Sequence, residues 1–383
     1  MPPLEAVGLV LFAIWLCALV FHIGSVVAAL AQARCRRRRA ANAGPRPPVS
    51  IIVPTRETDP AFRLRLAELA NLTYPAFEIV VASDRSEPAV EAAIAALAPE
   101  RAKRVRVSID GTRHTFNPKV NVEVAAYRTA AHDLILLTDD NVRSPPDRID
   151  SLLPYLAGDV GLVSAVAIGV EPQGLAAEIE ATFMNGYGAR FLLATDRLGH
   201  SIAMGKTLLF RRSDLERAGG ILALAQGMAE DSVIRERLAA IGLETALAPT
   251  PALQPLGRRR FADMFARQLR WMAARRWHTP LAFWTELLLG WVLAGVMAGF
   301  AAELLLGRGF IPGFALTWAL WLGLDLACTR ALGWPVFWRY PLAWTLRELL
   351  LPPMWLLTLV KRSVAWRGNE VPLRPRIAAL GQD

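Results

Sequence analysis

Cysteine is scarce. Cys17, Cys35 and Cys328 are the only three in 383 residues, too few and too scattered for a disulfide framework or a zinc site. Cys17 and Cys328 lie in apolar stretches, and a reduced, cytoplasmic face is the simple reading. No P-loop, internal repeat or low-complexity block is present. The "GYG" at Gly186–Gly188 is only a fragment of a dinucleotide fingerprint, and a close helix-packing site is the simpler reading. No nucleic-acid recognition motif or aromatic-interleaved basic surface accompanies the net charge of +9, which argues against a nucleic-acid partner. His114, His200 and His278 could approach a functional site, but packing or surface exposure is the commoner fate.

Long apolar runs are what the chain has. Hydrophobic residues make up 54% and mean hydropathy is +0.31, with the charge concentrated in the middle. Val7–Ala31 holds one His and no charge. At about 1.5 Å per residue it makes roughly 37 Å of helix, enough for a hydrocarbon core of about 30 Å. A signal peptide fits poorly, because the positive charge follows the run. "RCRRRR", Arg34–Arg39, would hold that end in the cytoplasm and meet anionic headgroups. Two further spans are expected near 283–306 and 312–332. A third apolar stretch, 340–360, carries Arg347 and Glu348 at its centre and then Pro352-Pro353. Charge there is costly against lipid, so a re-entrant or protein-packed segment is expected. With two spans, the basic tail "KRSVAWRGNEVPLRPR" returns to the cytoplasm.

Between these ends lies a globular pattern. "ANAGPRPP", Ala41–Pro48, reads as part of a basic, Pro-rich linker over 34–48. Strand-like runs follow at 49–53, 77–82, 104–109, 134–138, 161–168 and 206–210. Helical patterns occupy 60–70, 88–97, 119–131 and 174–194. This alternation predicts βαβ units and a mainly parallel sheet. The expected order is an anchor over 1–33, a globular domain over 49–257, an amphipathic helix over 258–280, a membrane region over 281–363 and a basic tail over 364–383.

Chemistry-bearing residues sit at strand and helix ends. Asp84 follows the second strand in "VVASDRSEP", Asp139 the fourth in "LILLTDDN", and Asp231 opens a helix in "GMAEDSVIRERL". Ligands bind at the carboxyl ends of strands in open α/β sheets. Each aspartate also has a plain reading, as a turn residue or a helix N-terminal acid. By strand alternation Asp139 and Asn141 point one way and Asp140 the other. That makes Asp139 the candidate cation ligand, Asn141 a neutral helper and Asp140 structural. Lys119, at a helix start where N–H groups favour anions, is a candidate for phosphate or sugar contact; a solvated helix lysine is the alternative. On the helix near 259–276, Phe261, Met264, Phe265, Leu269 and Met272 share an apolar face. Arg267, Arg270 and Trp271 lie away from its centre, offering forked donors and a flat wall. An interfacial helix that merely binds headgroups is the rival reading.

Three ordered aspartates followed by "RQLRW", Arg267–Trp271, resemble inverting nucleotide-sugar glycosyltransferases of the GT-A fold, family 2 and its ceramide glucosyltransferase (family 21) relatives. "NPKVN" (Asn117–Asn121), "GKTLLFRRSDLERAGG" (Gly205–Gly220), "LRELLLP" and "AWRGNEVPL" extend the likeness to ceramide glucosyltransferases over nearly the whole chain. The resemblance implies an α/β, Rossmann-like nucleotide-sugar-binding domain with transmembrane helices at both ends. It implies transfer of glucose from UDP-glucose to the primary hydroxyl of ceramide. Asp84 would hold the uracil–ribose portion, and Arg267, Arg270 and Trp271 the donor or acceptor. Asp231 is the candidate general base for the acceptor hydroxyl, with adjacent Glu230 the rival. A divalent metal ion, Mg or Mn, on Asp139 would meet the leaving diphosphate; the chain departs here from the common D-x-D pattern. A hopanoid polyol or polyprenyl phosphate is the rival acceptor, and a non-catalytic membrane scaffold the rival of another class. The Ala-, Arg- and Leu-rich composition suggests a GC-rich bacterium and its inner membrane, with the globular domain cytoplasmic.

Overall fold

Alternate residues of the central strands face two separate cores. In the computed structural model the described residues are 3–39, 44–56, 58–115, 117–226, 229–361, 363–366 and 369–372. Part of the expected linker (40–43) and the tail beyond Pro372 lie outside them. The chain divides into two compact units, each described by itself.

One unit comprises 34–168, 199–255 and the residues from Arg362 on. Its sheet is built on β1 (Val49–Pro54), β2 (Phe77–Ser83), β3 (Val105–Ile109), β4 (Leu134–Thr138), β5 (Val160–Gln173), β6 (Thr207–Arg211) and β7 (Glu244–Arg258). The order is β3-β2-β1-β4-β6-β5-β7. Val49, Ile51, Ile79, Val81, Leu134 and Leu136 pack into one core, with the helix Phe62–Ala70. Ile52, Val80, Ala82, Ile135, Leu137, Leu208 and Phe210 pack into the other. The helices Pro118–Thr129 and Glu230–Ala240 cover that second face through Val120, Val124, Tyr127, Val233, Ile234 and Leu238. Burial on both faces is why these strands read as unbroken apolar runs.

The sheet is mixed rather than mainly parallel. β3, β2, β1 and β4 run parallel, as the βαβ pattern predicts, whereas β6 is antiparallel to both β4 and β5. The sequence reading missed β7, because Pro249, Pro251 and Pro255 interrupt it. Proline is tolerated there since β7 is an edge strand, with one row of amides needing no partner.

The other unit comprises 1–33, 169–198 and 256–361. Residues 169–198, expected in the globular domain, thus belong with the apolar helices. The first helix, Pro3–Arg39, runs through the basic stretch expected as linker; arginine is a good helix former, and the sequence has no Gly or Pro between Gly24 and Gly44. Two helices among the described residues are long and apolar enough to cross a membrane, Pro3–Arg36 and Phe310–Ala331. The span expected at 283–306 is instead broken. A 3₁₀ turn at Glu286–Leu289 and an extended Gly290 precede the helix Trp291–Leu306, which has only 16 residues. That is roughly 24 Å at 1.5 Å per residue. It pairs closely with Phe310–Ala331, where a side chain on Gly313 would strike the backbone of Ala298. Such small-residue contacts bring helices together where lipid supplies no hydrophobic drive.

The stretch 340–360 is protein-packed, as its charge requires, but not broken. One helix, Tyr340–Val360, continues through Pro352 and Pro353. Leu351 and Met354 are buried with Met264 and Phe283, and this packing offsets the lost helical hydrogen bonds. Arg347 donates to Glu348 at 2.6 Å and to the Thr182 carbonyl at 2.9 Å. The "GYG" glycines lie in a π-helical turn, Phe183–Ala189, and a Cβ on Gly186 would clash with Asp325. Gly186 is a close-packing site.

Candidate active site

Strand parity gathers the site. Ile135 and Leu137 face the second core, so two steps on, Asp139 and Asn141 leave β4 on the side of the helices carrying Lys119 and Asp231. β6 adds a residue from the antiparallel side. Leu137 pairs with Leu208 and Thr138 with Thr207, which sets Lys206 opposite Asp139. Lys206 Nζ lies 2.6 Å from Asp139 Oδ2 and 2.9 Å from Asn141 Oδ1. Asp139 and Asn141 therefore do share a direction. Asp140 turns away, accepting from Thr55 at 3.1 Å, with its carbonyl taken by Arg65.

"NPKVN" divides its work. Asn117 caps the helix, its side chain accepting from the backbone N–H of Lys119 (3.0 Å) and Val120 (3.4 Å). Those amides are spent on the cap, which corrects the expectation that they serve an anion. Asn121 clamps the preceding loop, accepting from Thr115 N at 2.7 Å and donating to Thr115 O at 3.0 Å. Lys119 is left to project into the site, and it is not a solvated lysine. Its Nζ lies 2.9 Å from Asp139 Oδ1, 2.6 Å from Glu230 Oε1 and 4.0 Å from Glu123 Oε1. Burial alone would lower its pKa, but Asp139, Glu230 and Glu123 outweigh that and hold it well above the ordinary lysine value.

The acids differ in state. Burial would raise Asp139, yet the ammonium groups of Lys119 and Lys206 keep it below the usual carboxylate range. Glu123 is fully buried, with neither carboxyl oxygen hydrogen-bonded. Burial pushes it up to about 8 despite Lys119, so it is largely neutral at pH 7. Asp231 accepts from Gly205 N and Ser232 N, each at 2.7 Å. Burial, then the charge of Glu230, push it up to about 6, against those amides and Lys119. Successive helix residues diverge by about 100°, and Glu230 and Asp231 do hold different partners. Both nonetheless reach one glycine: a Cβ on Gly205 would lie 2.9 Å from Glu230 Oε1 and 3.3 Å from Asp231 Oδ2.

Asp84 ends β2, 3.4 Å from Arg56 of the neighbouring strand end, and its Oδ1 is buried without a hydrogen-bond partner. β2 and β4 flank β1, so Asp84 stands roughly 10 Å across the strand ends from Asp139. Arg267, Arg270 and Trp271 belong to the other unit, on the helix Phe261–His278. Met264, Leu269 and Met272 of the expected apolar face are buried there, while Phe261 is exposed. Arg267 is 3.1 Å from the buried Glu180.

A cation fits between Asp139 and Asn141. Two hard oxygens converge on one positive group, the Lys206 ammonium, and even with Glu123 neutral three carboxylates face two lysines. Among the described residues no three His, Cys, Asp or Glu side chains group as metal ligands, so the substrate's own oxygens would have to complete a divalent shell.

The glycosyl transferase family 21 model matches residues 14–379. The chain belongs to that family. The chain is similar to ceramide glucosyltransferase 1 of Caenorhabditis elegans, 25% identical over 334 residues, covering 85% of this chain and 72% of the relative. The ceramide glucosyltransferase of Komagataella phaffii is 24% identical over 425 residues, 86% and 83% of the two chains. A mannosyltransferase from Pyrobaculum calidifontis, solved with GDP-Man and Mn2+, superposes with a TM-score of 0.52 at 20% identity, covering 93% of this chain and 99% of that one. The fold is GT-A, and this family-21 chain is a glycosyltransferase. Sequence reasoning missed Lys206, Gly205 and Glu123; Lys206 and Gly205 stand inside the quoted "GKTLLFRR" run, but only the antiparallel register sets Lys206 against Asp139.

Proposed function

We propose that the chain transfers glucose from UDP-glucose, with inversion, to the primary hydroxyl of ceramide. The observation that carries this reading is the Lys119–Asp139–Lys206 array beside Asp231 and Glu230 at the carboxyl ends of the strands. Positive groups for a diphosphate and a carboxylate for an alcohol lie in one place. The ceramide glucosyltransferase names of the relatives support the acceptor.

Asp84 would take the nucleoside donors on its unpaired oxygen, and Lys119 would bind a diphosphate oxygen. Asp231, with a lone pair left on each oxygen, would accept the acceptor's proton. Arg267, Arg270 and Trp271 would contact diphosphate and acceptor, as in the family motif. A divalent metal ion, Mg or Mn, held by Asp139 and Asn141, would neutralise the leaving diphosphate; the Mn2+ in the mannosyltransferase supports this.

Purified protein in detergent, given a panel of UDP-sugars and lipid acceptors with products read by mass spectrometry, tests the reaction. Glucosylceramide is the expected product. Turnover only on a hopanoid polyol or polyprenyl phosphate would replace the acceptor, and no turnover beyond a denatured control would favour the scaffold. The chain is further proposed as a multi-pass protein of a bacterial inner membrane, with "RCRRRR" and the tail both cytoplasmic, the short helix Trp291–Leu306 and its partner Phe310–Ala331 crossing as a pair. Cysteines introduced at either end should resist an impermeant reagent in intact cells; tail labelling from outside overturns this topology.

A further inference from the structure

Lys206 has no part in the reaction as proposed, yet it stands at the centre of the site. Its ammonium holds the same two oxygens, Asp139 Oδ2 at 2.6 Å and Asn141 Oδ1 at 2.9 Å, that are assigned to the divalent ion. Asp139 meets a second ammonium through its other oxygen, that of Lys119 at 2.9 Å, which Glu230 shares at 2.6 Å. Two ammonium groups therefore meet that one carboxylate, and the Lys206 side chain is only 12% exposed. Lysines are seldom covered so far without a specific partner.

The side chain is anchored at its backbone end and can swing at its ammonium end. The Lys206 backbone is pinned by the end of β6, where Thr138 Oγ1 donates to its carbonyl at 3.3 Å. The four-carbon stem beyond it is flexible and ends in a compact point charge, the form in which lysine binds phosphate.

We infer that Lys206 is a ligand of the donor diphosphate that, in the free protein, fills the cation position between Asp139 and Asn141. This rests on the nucleotide-sugar reading above. When donor and ion arrive together, the two oxygens pass to the ion and the ammonium passes to a diphosphate oxygen. No bond is made or broken. The site keeps a positive charge at that point in both states, so Asp139 never faces Glu230 and Asp231 unneutralised.

Two consequences run in opposite directions. Without Lys206 the oxygens of Asp139 and Asn141 are open, and ion binding in the absence of nucleotide should tighten. The diphosphate meanwhile loses a charge-assisted partner, and nucleotide binding with ion present should weaken. A lysine that only braced Asp139 would weaken both.

The test uses the full chain in detergent as parent, Lys206→Met and Lys206→Gln. Mn2+ is titrated without nucleotide by electron paramagnetic resonance, and UDP and uridine are titrated calorimetrically at saturating Mn2+. Expected for either variant is Mn2+ binding tighter by about tenfold and UDP binding weaker by about tenfold or more, the scale of one charge-assisted hydrogen bond. Uridine, lacking phosphates, should bind as in the parent, and Lys206→Arg should keep most UDP affinity. Weakening of both Mn2+ and UDP, no change in either, or equal losses for UDP and uridine would each overturn the inference while leaving the donor reading intact. A parent that binds neither UDP nor GDP would overturn the donor reading, and this inference with it.

Discussion

Asp139→Asn is expected to lower turnover by roughly a hundredfold or more, the scale of losing one preorganised electrostatic partner at a reacting centre. The substitution keeps the shape of the side chain and removes its charge. That charge is well defended in the parent. Burial would favour the neutral acid, but Lys119 and Lys206 overcome burial and keep Asp139 ionised. With asparagine in place the oxygen that remains is a weaker partner for a cation, and both lysines lose their common counter-ion. Arg270→Ala should cost a similar factor by removing a forked donor from the diphosphate. The check is kcat/KM for the donor, measured on variants whose circular dichroism and Tm match the parent. Parent-like turnover in both would take the leaving-group role away from Asp139 and Arg270.

The residues whose placement was legible in the sequence are those positioned by local parity. Asp139, Asn141 and Asp140 sort correctly because side chains alternate along β4 and just beyond it, and that needs no knowledge of neighbours. Asp231 at a helix start and the buried face of Met264, Leu269 and Met272 follow from the 3.6-residue period in the same way. Lys206 was not legible, because its position opposite Asp139 comes from β6 running antiparallel to β4. Nothing within "GKTLLF" distinguishes that direction from the parallel one. The three-proline strand β7 was invisible for a related reason: only its place at the sheet edge makes proline acceptable, and edge position is a property of the assembled sheet. At 283–306 composition alone supported a full span. The break at Glu286–Gly290 instead follows buried pairing, with Arg275 donating to Glu286 at 2.6 Å and Trp291 N donating to Glu348 at 3.2 Å.

Asp231→Asn should cut turnover by roughly 10²–10⁴ while leaving UDP-sugar binding nearly intact. An inverting transfer needs the acceptor hydroxyl to attack opposite the leaving diphosphate, and its proton must go to a base as the bond forms. Two carboxylates compete for that role around Gly205. Glu230 is tied to the Lys119 ammonium at 2.6 Å, so one of its oxygens is already engaged. Among the described residues Asp231 accepts only from backbone N–H groups, and burial together with Glu230 raises it to about 6. A carboxylate must be ionised to accept a proton, so the sign is fixed: kcat/KM should hold above about pH 6 and fall tenfold per unit below it. In Asp231→Asn that acid limb should disappear along with most of the rate. Glu230→Gln removes the charge that, with burial, raises Asp231, so its acid limb should move to lower pH with much of the rate retained. Paired pH–rate profiles and donor calorimetry on the two variants decide the matter. Near-normal turnover in Asp231→Asn, or a collapse seen only in Glu230→Gln, would assign the base to Glu230.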